Sequence, residues 1–272
     1  MQGLEQLQKI FESHREKNSL KDFYLSDPIW FPKRFRKKDD IEVAAFISAV
    51  FAIGPRYAIF KSLEKIFSAL GSSPYDAIMN LDQAKLLKIL DRHIQFAYKN
   101  ITGKDFVQVL STVKTILDDH GTIENALLSW RDGNKNIVFR MLTGLLEEMK
   151  SSRLDRSLGR ELTDRAKALL ASPKEGSACK RMNMFLRWMT RKDEIDFGIY
   201  GWLGKENLVI PLDVNVSRAA RKLKLTTRKT DNWKTAVEIT EKLKSLDPLD
   251  PVKYDVPLFL YGIELRKGIR AN

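Results

Sequence analysis

The sequence predicts an all-α protein, and two observations lead to that prediction. Nearly every apolar cluster repeats at intervals of three and four residues, which is the spacing of one face of a helix. Alternating apolar and polar runs bounded by turn residues, which indicate strands, are almost absent. With 272 residues and 43% apolar composition, the chain can bury a substantial core in one large domain or two closely packed lobes.

The predicted helices follow one another along the whole chain. Residues 1–17 form a charged amphipathic helix. A helix at 41–53 follows Asp39 and Asp40 and ends at Gly54-Pro55, because proline cannot continue the hydrogen-bond ladder. A helix at 57–70 ends at Gly71, a residue typical of helix C-termini. A short helix opens at Ser73-Pro74, and the others are predicted at 82–90, 104–118, 122–130, 136–149, 160–170, 177–190, 214–223, 232–245 and 252–266.

The three segments with the weakest helical pattern are expected at lobe edges: residues 131–135, 151–159 and 197–207. The predicted division therefore has three parts. Residues 1–38 form an N-terminal helix and a basic extension. Residues 39–83 and 160–272 form one lobe from both ends of the chain, and residues 84–159 form a middle helical lobe.

The charge balance indicates a polyanionic partner. Lys and Arg number 47 against 35 Asp and Glu, which gives a formal net charge of +12. Nucleic acid is the first candidate and a membrane surface the second. Apolar runs such as residues 43–53 are far shorter than the roughly 20 residues that span a bilayer, so we expect no spanning helix and no membrane partner.

Other compositional features exclude several classes of site. The N-terminal residues lack the apolar core and cleavage site of a secretory signal, so we expect a cytoplasmic protein. The single cysteine, Cys179, excludes an internal disulfide and a cysteine-ligated zinc or iron–sulfur site. Because His14, His93 and His120 are scattered along the chain, we also expect no histidine metal site and no cofactor.

Residues 169–181 hold the most informative local pattern. A helix ends near Leu170, a turn with Pro173 and Gly176 follows, and a second helix begins near Ser177. This is a helix-hairpin-helix layout. The free N–H groups at the start of the second helix would bind phosphate, because both the unsatisfied donors and the helix dipole favour an anion.

Lys180 lies in the first turn of that second helix, away from its predicted buried stripe of Ala178, Met182, Phe185 and Met189. We expect Arg187 and Arg191 to lie below Lys180 and to make this surface cationic. Those charges and the positive end of the helix disfavour an ammonium group, and a lysine that loses its proton is a nucleophile. The alternative is an ordinary solvated lysine.

A second candidate follows 33 residues later (213 minus 180), where the apolar segment 209–212 leads into Asp213 at a predicted helix start. The simple interpretation is an N-cap that stabilises the helix by about 0.5–2 kcal/mol. A capping carboxylate at a cleft can also accept a proton or stabilise a cationic intermediate. Lys180 and Asp213 are therefore the candidate catalytic pair.

These segments resemble the helix-hairpin-helix DNA glycosylases. Residues 176–181 (GSACKR) with Asn183 resemble the second hairpin helix of bacterial endonuclease III and its relatives, and residues 210–216 (IPLDVNV) resemble the segment that holds that family's catalytic aspartate. Residues 42–49 (EVAAFISA) resemble its early core helix. Further stretches, at 241–243, 252–255 and 260–262, resemble its closing helix.

The resemblance implies a two-lobed helical fold and base-excision repair of double-stranded DNA that contains a damaged base, by a monomer without an iron–sulfur cluster. It implies that Lys180 is the nucleophile of a glycosylase with AP lyase activity and that Asp213 supports it. The interval between the two is more similar to that of the archaeal 8-oxoguanine branch, which favours an oxidised purine as substrate. The chain also resembles a bacterial family whose members are mostly uncharacterised.

The implied DNA contacts and pocket residues are less specific. The candidate DNA-binding residues are Lys174, Gly176, Ser177, Arg181, Arg187 and Arg218, each of which could equally be an ordinary surface residue. The candidates for a base pocket or wedge are Trp202, Trp188 and Tyr254, with Trp202 preferred because glycines flank its loop. Aromatic residues at helical spacing more often belong to the core.

The chain departs from the family pattern at several positions. The hairpin lacks the usual glycine-valine-glycine, which puts its metal ion and close phosphate approach in doubt, and Val214-Asn215 replace a threonine-histidine pair. Two other classes of function remain open. One is a catalytically silent DNA-binding protein, and the other is an RNA- or protein-binding helical module.

Overall fold

The structure is a computed structural model that describes residues 2–16, 27–82, 86–87, 101–133, 136–154 and 156–271. Within these ranges every regular element is a helix, and extended pairing is confined to two isolated bridges, between Ser177 and Asn232 and between Lys192 and Phe197. The predicted all-α class is confirmed. Most of the helix predicted at 82–90 lies outside the described residues.

The helices are numbered in chain order. They are α1 (Gln2–Glu16), α2 (Lys38–Val50), α3 (Arg56–Leu70), α4 (Pro74–Met79), α5 (Gly103–His120), α6 (Ile123–Ser129), α7 (Ile137–Ser151), α8 (Asp164–Leu169), α9 (Lys180–Thr190), α10 (Val214–Lys222), α11 (Trp233–Lys244) and α12 (Asp255–Ala271). Short 3₁₀ turns lie at Pro28–Trp30, Pro32–Arg34, Arg156–Leu158, Pro173–Glu175, Lys205–Asn207 and Pro251–Tyr254.

Three predicted helix starts are too early. The helix predicted from residue 252 begins at Asp255, after a 3₁₀ turn at Pro251–Tyr254, and the other two begin late for local reasons. The helix predicted from residue 160 begins at Asp164, because Thr163 is in extended backbone and its side chain caps the helix by accepting from the N–H of Ala166. The helix predicted from Ser177 begins at Lys180, because Cys179 adopts a left-handed conformation with φ of 47°.

The chain forms two compact units. Unit 1 comprises Met1–Leu25 and Pro173–Asn272, and unit 2 comprises Ser26–Ser172. The predicted lobes group the chain differently, since they join residues 39–83 to 160–272. In the structure the described residues from 39 to 82 lie in unit 2, because α2 packs on α4 and α4 packs on α5.

Unit 2 is built around α2, which is buried from Glu42 to Val50. Glu42 accepts hydrogen bonds from the backbone N–H groups of Ile123 (2.9 Å) and Glu124 (2.9 Å) at the start of α6. Its charge therefore satisfies two donors that a helix N-terminus leaves without partners.

Unit 1 is built around α9, which is buried from Met182 to Thr190. Helix α10 packs closely against α12, and α12 also contacts α1. A Cβ atom on Gly262 of α12 would lie 2.1 Å from the carbonyl oxygen of Asn215, so only glycine permits this approach. Arg218 stabilises the same contact between α10 and α12. Its Nη1 donates to the Gly262 carbonyl and to Asn215 Oδ1, at 2.9 Å each.

Candidate functional site

A sharp turn precedes α9 and places Lys180 as its first residue. Gly176 has φ of 80° and Cys179 has φ of 47°, both in the left-handed region. The hydroxyl of Ser177 accepts a hydrogen bond from the N–H of Cys179 at 3.1 Å, and no side chain caps the helix. Lys180 therefore lies ahead of the buried part of α9 and keeps 36% of its side chain exposed.

Asp213 is the N-cap of α10, as its sequence context predicts. Its Oδ1 atom accepts hydrogen bonds from the N–H groups of Asn215 (2.8 Å) and Val216 (3.0 Å). The preceding residues 208–212 are buried, and the N–H of Ile210 donates to the Thr240 hydroxyl at 3.0 Å. Both the backbone and the carboxylate plane of Asp213 are thus held in place.

The two predicted catalytic residues meet. The distance from Lys180 Nζ to Asp213 Oδ2 is 3.5 Å, and the Asp213 side chain is 16% exposed. The two oxygens of the carboxylate have different partners. Oδ1 accepts from the N–H groups at the start of α10, and Oδ2 is the oxygen closer to Lys180. A separation slightly longer than a charge-assisted hydrogen bond leaves the ammonium near a fixed acceptor, so a small approach permits proton transfer.

The structure contradicts the prediction that Arg187 contacts DNA. Its side chain is only 4% exposed, so it is not the phosphate contact that the sequence suggested. Its Nη1 donates to Asp255 Oδ2 at 2.7 Å, and its Nε and Nη2 donate to the two oxygens of Asp196 at 3.3 Å each. The reason is tertiary, because two carboxylates from other segments cover the helix face on which Arg187 lies.

The prediction of a cationic surface below Lys180 is therefore wrong as well. Arg191 donates to Asp196 (2.6 Å) and to Asp250 (3.0 Å), and it also pairs with Asp193 (2.9 Å). Its charge, like that of Arg187, is balanced by carboxylates. The lysine thus lies beside a buried cluster of alternating charges, which we call the ionic cluster: Arg187, Arg191, Asp196, Asp250 and Asp255.

Asp255, the first residue of α12, is a member of the ionic cluster whose carboxyl interacts electrostatically with both Asp213 and Lys180. Burial raises the pKa of its carboxyl to about 6, against the attraction of the Arg187 guanidinium. The negative charge of Asp213 raises the pKa further, and the Lys180 ammonium lowers it. Sequence reasoning missed this role, because an acid at a helix start is usually explained by the helix dipole.

The other predicted DNA-binding residues have mixed surroundings. Lys174 and Gly176 are exposed on the turn before α9, whereas the Ser177 hydroxyl already accepts a backbone hydrogen bond. Arg181 is half-buried, and desolvation lowers the pKa of its guanidinium to about 10. Arg218 holds the crossing of α10 and α12, so a phosphate contact there stays a prediction.

Two of the three aromatic residues predicted to form a base pocket or wedge are buried instead. Trp188 and Tyr254 are each 1% exposed and belong to the core of unit 1, so neither can stack on an extruded base. Tyr254 is fixed there by donating its hydroxyl hydrogen to Gln8 Oε1 at 3.1 Å. Trp202 is half-buried and stacks on Tyr200 with 5.7 Å between ring centroids, and its role in a base pocket stays a prediction.

The comparisons with known proteins identify a family without naming an activity. The family described as "protein of unknown function (DUF2400)" matches residues 27–264, which is more than half of the chain. Neither the curated proteins nor the solved structures contain a match to the chain.

Within the described ranges, none of the helices combines the length and apolarity that crossing a membrane requires. In that same part of the chain, no group of three or more His, Cys, Asp or Glu residues is arranged to hold a metal ion.

Proposed function

The chain belongs to the DUF2400 family, and from this premise we propose that it is a DNA base-excision repair glycosylase with associated AP lyase activity. One observation carries the proposal: Lys180 and Asp213, far apart in sequence, lie 3.5 Å apart in a partly exposed position. A lysine amine beside a fixed carboxylate is the pairing that Schiff-base chemistry requires.

In the proposed reaction, the damaged nucleotide first leaves the duplex stack, because its C1′ atom is otherwise out of reach. Asp213 Oδ2 accepts the proton of Lys180. The free amine then attacks C1′ and forms the Nζ–C1′ bond, while the glycosidic bond breaks and its electron pair leaves with the base, which takes up a proton. Opening of the sugar ring, in which O4′ takes up the proton that the nitrogen gives up, leaves an imine. Removal of a proton from C2′ then breaks the C3′–O3′ bond by β-elimination, and the 3′ phosphate leaves with the electron pair.

The different partners of the two Asp213 oxygens suit its proposed role as the acceptor of the Lys180 proton. Oδ1 is fixed by two backbone N–H groups, so the carboxylate cannot rotate away from the lysine without uncapping α10. Oδ2 remains for proton acceptance and for stabilising positive charge on the sugar as the base departs. A fixed acceptor lowers the reorganisation that proton transfer needs.

Binding to DNA is supported by the net charge of +12 and by the hairpin before α9. Lys174 and Gly176 are exposed there, and Gly176 has open space where a side chain would be, which suits a backbone that approaches phosphate. A two-lobed helix-hairpin-helix glycosylase fold, a monomeric state and a cytoplasmic location belong to the same proposal.

Borohydride trapping tests the chemistry, because reduction of the imine fixes a covalent protein–DNA adduct. The wild-type protein is incubated with duplexes that contain either an abasic site or an oxidised purine. We expect an adduct with wild type and none with Lys180→Ala. Preference for the oxidised purine among a panel of lesion duplexes identifies the substrate class.

Lys244 provides a matched control. Its side chain is 33% exposed, close to the 36% of Lys180, and it pairs with Glu241 at 2.8 Å. Lys244→Ala should keep full trapping. Equal trapping by Lys180→Ala and wild type would remove Lys180 from the role, and duplex binding without any adduct would instead support a silent DNA-binding protein.

A further inference from the structure

We infer that the turn before α9 and the loop between α10 and α11 form one cationic surface of unit 1, and that the phosphate backbone of duplex DNA binds across it. The exposed side chains of Lys174, Lys229 and Lys234 define this surface, which we call the basic ridge. The inference rests on the proposed function and adds to it a second DNA-binding segment, which the sequence patterns did not reveal.

The two segments are joined at the backbone. Ser177 of the turn and Asn232 of the loop form an isolated antiparallel bridge, and the N–H of Trp233 donates to the Gly176 carbonyl at 3.4 Å. Each lysine of the basic ridge lies within three residues of that bridge along the chain, and so does Lys180. The basic ridge therefore lies close to the proposed nucleophile.

The loop is held in shape through its backbone carbonyls. Arg221, near the end of α10, donates from Nε to the Arg228 carbonyl at 2.7 Å and from Nη2 to the Lys229 carbonyl at 2.9 Å. The next carbonyl, that of Thr230, accepts from the Thr235 hydroxyl at 2.7 Å. Because these contacts use the backbone, replacing the exposed Lys229 side chain leaves them intact.

The same two segments concentrate the positive charge of the chain. Residues 173–181 and 221–238 hold nine Lys or Arg and three Asp or Glu, so their net charge is +6, half of the +12 of the whole chain. The cations of the ionic cluster, by contrast, are covered by carboxylates. A local excess of positive charge attracts a polyanion. The structure places such an excess at the basic ridge, whereas the sequence suggested the surface of α9 below Lys180.

Two of the three acids in these segments are occupied by arginines. Asp231 pairs with Arg221 and Glu238 pairs with Arg228, at 2.6 Å each. The third acid, Glu175, is exposed on the turn before α9. In the described part of the chain, no ion pair joins a carboxylate to a lysine of the basic ridge. The charge of the basic ridge therefore faces solvent without an internal counter-ion from those residues.

Duplex DNA fits this surface better than a small anion, because the lysines are spread over two segments. Exposed lysines act as flexible point charges that bind phosphates irrespective of base sequence, and such contacts fix the position of a protein on the duplex. A repair enzyme must hold the flanking duplex while it extrudes one nucleotide. The basic ridge, close to Lys180, is placed to bind phosphates beside that nucleotide.

The salt dependence of binding tests the inference. Each phosphate contact to duplex DNA contributes about 0.9 to the slope of log K against log salt concentration. Lys229→Ala/Lys234→Ala should therefore lower the slope by about 1.8, twice that amount, on undamaged and abasic duplexes alike. Across a tenfold rise in salt concentration, wild type should lose about 60-fold more affinity than the double variant, measured by fluorescence anisotropy.

Lys242→Ala/Lys244→Ala is the matched control, because it removes the same charge from the other end of α11. Lys242 is exposed, and Lys244 is 33% exposed. This variant should keep the wild-type slope. An equal fall in both double variants would show that net charge governs binding and would overturn the inference, as would a wild-type slope in Lys229→Ala/Lys234→Ala.

Cross-linking gives a direct readout of contact. Cys179, the single cysteine of the chain, is 5% exposed, so a thiol-reactive photo-cross-linker should label a cysteine introduced on the surface in preference to it. Lys229→Cys should cross-link to the strands of an abasic duplex, and Lys242→Cys should not. A duplex bound by the labelled Lys229→Cys protein without any cross-link would contradict the inference.

These outcomes are separate from that of borohydride trapping. Trapping that depends on Lys180, together with wild-type binding by Lys229→Ala/Lys234→Ala, would reject the basic ridge and keep the glycosylase proposal. The expected slopes and cross-links without any trapping would keep the basic ridge as a DNA-binding surface and reject the glycosylase. Tighter binding of single-stranded RNA than of duplex DNA, with the same dependence on the two lysines, would assign the surface to RNA and overturn the inference.

Discussion

The two units bury charge in different ways. In unit 2, the carboxylate of Asp40 accepts from the Ser73 hydroxyl and the Tyr75 N–H, and Glu42 accepts from two N–H groups at the start of α6. These acids fix the starts of helices. In unit 1, the buried acids Asp196 and Asp255 bond to arginine side chains.

The difference has a physical meaning. A backbone N–H group cannot change its charge, so a carboxylate that caps a helix has a constant environment and a structural task. A carboxyl in the ionic cluster has titratable neighbours, and at Asp255 these include the half-exposed Lys180. Perturbed acids of this second kind are typical of functional sites, so unit 1 is where chemistry is expected.

The Asp213 carboxylate both caps a helix and lies beside a titratable side chain, Lys180. Its variants therefore give the sharpest test of the comparison between the two units. Asparagine is as good an N-cap as aspartate. Asp213→Asn should therefore keep α10, and its denaturant midpoint of unfolding should equal that of wild type. Without the acceptor for the lysine proton, we expect single-turnover trapping to fall by about 10²–10⁴-fold.

Asp213→Ala serves as the companion variant, because it should lose both the cap, worth about 0.5–2 kcal/mol, and the activity. Wild-type trapping by Asp213→Asn would reduce this residue to a helix cap like Glu42.

Removal of Arg187 should cause the largest loss of stability. Arg187→Met leaves the buried Asp255 without its guanidinium and leaves Asp196 paired with Arg191 alone. Breaking a buried pair in this way costs about 3–5 kcal/mol. The free energy of unfolding, measured in urea near pH 7, gives the value.

The control is Arg34→Met in unit 2, which removes an exposed pair with Glu64 (3.1 Å) and should change stability by about 0–1 kcal/mol. Equal losses in the two variants would mean that the ionic cluster is no more important than a surface pair.

Glu42→Gln should have a smaller effect, and one confined to stability. The amide keeps one acceptor for the start of α6 but faces the other N–H with its own donor, so we expect a loss of about 1–3 kcal/mol. Trapping per folded molecule should match wild type at a temperature well below the transition. A change in the pH profile of trapping would show that unit 2 also takes part in the chemistry and would break the contrast between the units.

Much of the architecture was predictable from local patterns. The helix predicted at 57–70 is Arg56–Leu70, and that predicted at 214–223 is Val214–Lys222. Apolar periodicity, proline and glycine breaks and capping residues act over a few positions, so they are visible in sequence. Lys180 and Asp213 were identified by their places at two helix starts, together with the resemblance to the glycosylases.

Tertiary structure alone decided which residues surround that pair. Arg187 follows Lys180 at a spacing that predicts the same helix face, yet Asp196 and Asp255, 9 and 68 positions further on, cover it. Trp188 and Tyr254 became core residues for the same reason. Burial depends on which distant segments pack together, and helical periodicity gives only the side of the helix on which a residue lies.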